Sequence, residues 1–393
     1  MRIGIFTDTY YPQVNGVVTS ILMLEKELRN LGHEVYIFTT SNPKDRDLAK
    51  NIFRLPSMPF VFLLTYRIAF FCSPKMLYKI KNFNLDIIHT QTEFSVGLFG
   101  KMVSKFLKIP MVHTYHTMYE DYVHYVAKGY FFKPKAAQKF SKIFCNMAKT
   151  VIVPTQKTKD YLIAYGVKKP IKIIPTGIEL EKFMDYVVPE KIMNLKKNLG
   201  LKTDDFVILF LGRVAKEKSI DVLISQMPNI MKKIKNAKLL IVGGGPYLEK
   251  LKSLSCNLYM DENIFFTGEI PWQQINLYYK LADVFVTAST SETQGLTCIE
   301  AMASKIPVIC KNDPSVQNLI ENGENGFMFD NPEDLTNIIY DLKQNLQLRT
   351  KVIDNAITTV DNLSCNSFAK SVQDIYYQVI QNEYENKMAK AGS

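Results

Sequence analysis

The feature that most constrains this chain is a set of short apolar runs that do not alternate with polar residues. RIGIF (2–6), VYIFTT (35–40), DIIHT (86–90), PMVHTYH (110–116), TVIVPT (150–155) and IKIIPTG (171–177) form a first series. FVILFLGR (206–213), KLLIVGGG (238–245), NIFFTG (263–268), DVFVTAS (283–289), IPVICK (306–311) and GFMFD (326–330) form a second. A strand that is apolar on both sides must be covered on both faces, which is the condition of a parallel sheet flanked by helices. Two doubly wound α/β units are therefore expected. The polar stretch Lys182 to Lys202, with Pro189, reads as the linker and sets the expected boundary near residue 190. From about Phe368 to Met388 the spacing of Val372, Ile375, Tyr376 and Val379 predicts a terminal helix with one apolar side. The expected division is thus residues 1–190, residues 191–367 and a helix over 368–390.

Several classes of protein are set aside by the same sequence. The first apolar run reaches Asp8 too soon for a signal peptide, and Phe60 to Cys72 holds 13 residues with Arg67 among them. A bilayer span needs about 20 apolar residues. The six cysteines lie far apart with no C-x-x-C pair, which argues against a disulfide framework or a zinc knuckle and suits a reducing cytosol. No repeat of 20–50 residues marks a solenoid or propeller.

Charge is distributed unevenly. Residues 1–190 carry 26 Lys and Arg against 15 Asp and Glu, whereas residues 191–393 carry 22 against 23. Residues 54–81 hold five basic side chains and no acid, and residues 128–149 hold six and no acid, both among large apolar residues. Basic side chains close to an anionic leaflet contribute about 1 kcal/mol each, and aliphatic or aromatic faces can sink into the acyl boundary. Arg54, Arg67, Lys75, Lys133, Lys135, Lys139 and Lys142 are the candidate membrane-binding residues. A soluble helix whose lysine stems lie over its own core would read the same way. Nucleic acid is not an expected partner, because no helix-turn-helix, RNP-type strand or zinc-finger spacing accompanies the charge.

The motifs that carry chemistry fall at strand ends, where open parallel sheets bind ligands. Gly16 precedes an amphipathic helix, and a residue without a side chain there lets a phosphate approach backbone N–H groups; a turn glycine explains it equally well. HTYHT (113–117) ends a strand with His113 and His116, either able to bond a sugar hydroxyl or move a proton, or simply to serve as an internal hydrogen-bonding group. GRVAKEKSID (212–221) offers Arg213 and Lys218 at a loop-to-helix transition, two cations that could neutralise a diphosphate leaving group. VGGGP (242–246) lacks the spacing of a dinucleotide fingerprint. SETQGLTCIEAMA (291–303) sets Glu292 in a loop, Gly295 and Leu296 at a helix start and Glu300 within the helix. A carboxylate can hold sugar or ribose hydroxyls while helix-start amides meet an anion. The pair Asp45 and Asp47 forms a D-x-D in a polar loop and is assigned no metal.

Gly16 after strand one, HTYH, G-R-x-x-x-x-K and the E-x7-E of S-E-T-Q-G-L-T-C-I-E-A-M-A, in this order, resemble the family-four retaining glycosyltransferases of the GT-B fold. HTMYEDYVHYVAKG (116–129) is most similar to the bacterial diacylglycerol glucosyltransferases among them. The resemblance implies two Rossmann-like domains facing across a cleft, an N-terminal one for acceptor and membrane and a C-terminal one for a nucleotide-sugar, with the terminal helix crossing back. It implies that Gly16 lets the donor diphosphate approach, that His116 touches the transferred sugar, and that Arg213 and Lys218 bind the diphosphate and stabilise its departure. Glu292 would face the sugar, Gly295 and Leu296 would meet sugar or phosphate through their backbone, and Glu300 would hold the ribose. Asp121 is the candidate for acceptor recognition.

The expected reaction is transfer of glucose from UDP-glucose to 1,2-diacylglycerol with retention, by same-face attack, in an enzyme peripheral to the inner face of the cell membrane and bound to anionic lipids. No cofactor is required by motif, and dependence on a divalent ion is left open. Another acceptor, soluble or polyprenyl-linked, is the nearest alternative. A nucleotide-sugar epimerase on the same fold and a catalytically silent membrane scaffold are rivals from other classes.

Overall fold

The structure is a computed structural model that describes residues 1–13, 15–41, 50–60, 63–70, 74–116, 134–290 and 292–391. The chain divides into two compact units, Met1–Gly177 with Cys365–Ser393, and Ile178–Ser364. In chain order the first contains β1 (Arg2–Phe6), α1 (Gly16–Asn30), β2 (Glu34–Thr40), β3 (Ile52–Leu55), β4 (Ser57–Phe60), β5 (Leu63–Ala69), α2 (Pro74–Asn82), β6 (Ile87–Thr90), α3 (Ser95–Leu107), β7 (Met111–Thr114), α4 (Pro134–Cys145), β8 (Thr150–Val153), α5 (Gln156–Ala164) and β9 (Ile171–Ile173). Its sheet runs β3-β2-β1-β6-β7-β8-β9, with every neighbouring pair parallel. The four residues of β6, of β7 and of β8 are all buried, as unbroken apolar runs require.

The second unit contains α6 (Leu180–Met184), α7 (Pro189–Asn198), β10 (Phe206–Leu211), α8 (Ile220–Lys233), β11 (Ala237–Val242), α9 (Leu248–Asn257), β12 (Ile264–Gly268), α10 (Ile275–Leu281), β13 (Val284–Thr287), α11 (Leu296–Ala303), β14 (Val308–Lys311), β15 (Phe327–Phe329), α12 (Pro332–Gln344) and α13 (Leu346–Val360). Its parallel sheet runs β12-β11-β10-β13-β14-β15. The last helix, α14 (Cys365–Ala391), returns to the first unit. There Val372, Ile375, Tyr376 and Val379 are buried in one cluster with Ile21, Leu24 and Leu28 of α1. At about 1.5–3 kcal/mol for each large apolar side chain, that face holds the helix in place. Among the described residues no helix is long and apolar enough to cross a membrane.

Two sequence expectations differ from the structure. The unit boundary lies at Gly177/Ile178 rather than near 190. Residues 178–190 look polar because Glu179, Glu181, Lys182 and Asp185 surround them, yet Ile178, Leu180 and Phe183 are buried in the core of the second unit. The alternative reading of the basic segment from Arg54, a soluble helix over its own core, fits only its last part. β4 and β5 pair as an antiparallel hairpin, and helix begins only at Pro74.

Phe183 is fully buried and packs edge-on against Tyr279, 5.7 Å between centroids. Phe183→Ala is expected to remove about 3–5 kcal/mol of stability, as loss of a core phenyl does, read from the urea midpoint of the second unit. A loss below about 1 kcal/mol would place residues 178–190 outside that core.

Candidate active site

Both sheets reverse strand order at one point, and polar side chains gather there. In the second unit the chain leaves β10 for β11 on one side and later returns to β13 on the other. Diverging connections at such a switch point open a crevice beyond the carboxyl ends of the two strands. Arg213 follows β10 and Glu292 follows β13. The glycine run after β11 serves the same place. A Cβ on Gly243 would lie 1.9 Å from the Gly212 carbonyl oxygen, and one on Gly245 would lie 2.2 Å from that of Val214. VGGGP therefore lets its backbone touch that of residues 212–214, on either side of Arg213.

The cations at this point are held by carboxylates. The Arg213 guanidinium pairs with Glu217 and the Lys218 ammonium with Glu292. Lys218 ends a 3-10 turn, Lys216–Lys218, between β10 and α8. Its side chain is 14% exposed and that of Glu292 21%, whereas Arg213 remains 44% exposed. Gly295 sits in the left-handed region, φ 71°, and turns the loop into α11 so that the helix begins at Leu296. Amides at such a start carry partial positive charge.

Glu300 lies one turn into α11 and is buried. The Tyr279 hydroxyl donates to its Oε2 at 2.7 Å. Burial pushes the Glu300 carboxyl up to about 7, against the opposing pull of the Tyr279 hydrogen bond and the Lys182 charge. Burial also pushes Lys182 down to about 8, with Glu300 and Glu179 opposing. The Lys182 ammonium donates to the Trp272 carbonyl at 2.7 Å and lies over that indole ring. Tyr279, Lys182 and Glu217 were not legible as site residues. Tyr279 sits in an ordinary amphipathic helix, and Lys182 lies in the stretch read as a linker. Only the i,i+4 spacing of Glu217 from Arg213 offered a signal.

In the first unit Gly16 opens α1 and is exposed, with the Asn15 side chain accepting from the Val18 amide at 3.0 Å. His116 follows β7 and is half-buried; its Nε2–H donates to the Gln91 amide oxygen at 2.6 Å. His113 instead points into the core, fully buried, with Nε2 3.2 Å from Glu93 and its ring edge-on to Phe144. The two histidines of HTYH thus serve different purposes. Asp121 and Lys133 lie outside the described residues, as do Asp45, Asp47 and the side chain of Lys75. Arg54 donates to the carbonyls of Thr40 and Tyr11, and Arg67 to the hydroxyl and carbonyl of Ser57. Both are engaged by their own unit. Lys135, Lys139 and Lys142 are exposed along one side of α4 with Ile143, while Ala137, Ser141 and Phe144 face inward.

Residues 14–182 match the family described as Glycosyltransferase Family 4, and residues 191–359 match Glycosyl transferases group 1. The chain is 40% identical to an alpha-monoglucosyldiacylglycerol synthase of Streptococcus pneumoniae, over 99% of this chain and 89% of that one. It is 36% identical to another from Acholeplasma laidlawii, over 97% and 98%. Among solved structures it resembles the Anabaena protein HepE in complex with UDP-glucose, with a TM-score of 0.77 at 18% identity over 96% of this chain and 100% of that one. It also resembles WaaG, a glycosyltransferase involved in lipopolysaccharide biosynthesis, with a TM-score of 0.72 at 16% identity over 95% and 99%.

The raised Glu300 carboxyl has a stability consequence of definite sign. Its folded value lies above the ordinary 4.5, so its contribution is fully present below about pH 4.5 and is lost as pH rises through about 7. Glu300→Gln keeps an acceptor for Tyr279 and removes the buried charge. The variant is expected to be more stable than the parent at pH 8, by on the order of 2 kcal/mol, with the gain vanishing toward pH 5. A difference in urea midpoint that does not change with pH would contradict the burial of an ionised carboxylate here.

Proposed function

The chain belongs to the family-four glycosyltransferases of the GT-B fold, and on that premise we propose that it transfers glucose from UDP-glucose to the free hydroxyl of 1,2-diacylglycerol at a membrane surface, with retention of the α configuration. The observation that carries the chemistry is the grouping of Arg213, Lys218 and Glu292 at the switch point of the second sheet. The acceptor rests on the two relatives, whose names specify monoglucosyldiacylglycerol.

Each group has a task in this reading. Glu300 accepts hydrogen bonds from the ribose, held in place by Tyr279. Glu292 accepts from hexose hydroxyls, and the amides at Gly295 and Leu296 meet sugar or phosphate oxygen. As the bond between the anomeric carbon and UDP breaks, negative charge grows on the diphosphate, and Arg213 and Lys218 stabilise it. The acceptor oxygen then bonds to the anomeric carbon from the face that UDP leaves. Its proton passes to the departing phosphate oxygen, so UDP and the glucolipid are the products. In the first unit the α1 start at Gly16 offers amides to the diphosphate, and His116 contacts the hexose.

Fixed charge aimed at a developing anion is the largest catalytic contribution available to such a site. Arg213→Ala is expected to lower glucolipid turnover by roughly 10²-fold or more, measured by thin-layer analysis of lipid product. Unchanged turnover would remove Arg213 from the mechanism.

The membrane contact is assigned to the α4 lysines and the hairpin. Lys135, Lys139 and Lys142 form a basic row, and exposed Met58, Ile68 and Phe70 on and beside β4 and β5 supply apolar side chains. Replacing the three lysines by alanine is expected to weaken sedimentation with anionic liposomes by about tenfold or more, and salt should release the parent protein similarly. Binding indifferent to both changes would move the contact elsewhere.

A further inference from the structure

A connected set of buried polar groups in the first unit leads from α14 to His116. Gln91 directly follows β6 and is only 2% exposed. Its amide N–H donates to the Phe6 carbonyl at 2.8 Å, which ties the segment to the end of β1. The segment is secured a second time by Asp8, whose carboxylate accepts from the Thr92 hydroxyl at 2.6 Å, the Ser95 hydroxyl at 2.5 Å and the Val96 amide at 2.8 Å. The Gln91 side chain is therefore held at its root by two strand ends and a helix start.

Its amide group is held as well. The side-chain nitrogen lies 3.2 Å from both ring nitrogens of His89. Those nitrogens have closer partners, the Tyr376 hydroxyl at 2.6 Å from Nδ1 and the Thr114 hydroxyl at 2.7 Å from Nε2. His89 is fully buried, and burial holds its imidazole neutral. The ring is thus clamped between β7 and the apolar face of α14, and the Gln91 amide packs its NH2 end against it. That leaves the Gln91 oxygen turned to His116, where it can only accept. His116 Nε2 must carry the proton of that 2.6 Å bond. Burial, with His113 adding, pushes His116 down to about 3, so the ring is neutral and carries a single proton. Its Nδ1 is then the acceptor.

We propose that Gln91 is a positioning residue that locks His116 in its Nε2–H form, leaving Nδ1 to accept a hydroxyl of the transferred hexose, and that Tyr376 of α14 supports this lock through His89. The proposal rests on the reading of His116 as a hexose contact given above. Its consequence is that α14 contributes to the chemistry through an orienting chain and not only by covering α1.

The test uses the full chain with histidine ring nitrogens labelled by nitrogen-15. Gln91→Met keeps the length and removes the acceptor, and Tyr376→Phe removes only the hydroxyl. In the parent, nuclear magnetic resonance should show His116 as the Nε2–H tautomer. In Gln91→Met that tautomer should be lost, and kcat for glucolipid formation should fall on the order of 10–100-fold with the KM for UDP-glucose within about twofold of the parent. Tyr376→Phe should move both readouts in the same direction by a smaller factor, and it carries the test if Gln91→Met does not fold. Retention of the Nε2–H form in these variants, or a changed tautomer with full kcat, would overturn the proposal. If the parent makes no glucolipid, the functional reading fails separately; the tautomer in parent and variant then still decides whether Gln91 holds His116.

Discussion

A parallel strand covered on both faces can offer chemistry only at its ends. Every side chain along β6, β7, β8 and β13 is buried, so no position on those strands is free to meet a ligand. Polar function is confined to the residues that follow a carboxyl end, and most of all to the points where strand order reverses. In the first sheet the reversal lies between β1 and β6, and in the second between β10 and β13. Asp8, Gly16 and Gln91 stand at the one, Arg213 and Glu292 at the other. These polar residues stand where they do because the cores leave nowhere else for them.

Burial at these two places works in opposite electrostatic directions. In the second unit charges are kept: Arg213 with Glu217 and Lys218 with Glu292 lower the cost of holding a cation partly out of water. That arrangement suits recognition of a diphosphate. In the first unit charge is suppressed, and His89 and His116 are held neutral. Neutral imidazoles suit directional hydrogen bonding to hydroxyls, where the position of one proton decides which atom accepts. Glu300 lies between these cases, a carboxyl whose burial opposes its charge while Tyr279 and Lys182 favour it.

The strands were legible because both-face burial leaves an unbroken apolar signature, and each run from RIGIF to GFMFD contains a strand of the structure. The candidate site was legible where a residue borders a strand end and a glycine, as Arg213 does after β10 and Gly212, and where a glycine opens a helix, as Gly295 does at α11. It was not legible where function depends on a partner distant in sequence. Tyr279 meets Glu300 across 21 positions, and Tyr376 meets His89 across 287. No local pattern encodes those pairs. The sequence gives no sign of the unit boundary before Ile178 because charged neighbours mask the buried Ile178, Leu180 and Phe183, and the pairing of β4 with β5 was not read because Met58 and Ile68 are apolar yet exposed.

The claim that the second sheet's switch point grips the nucleotide is tested most directly by amide hydrogen exchange on the full chain with and without UDP. Protection should rise over residues 212–219 and 292–300, with the strands of both sheets unchanged. Saturable UDP binding that leaves those two segments exchanging at their original rates would place the nucleotide elsewhere and contradict the account.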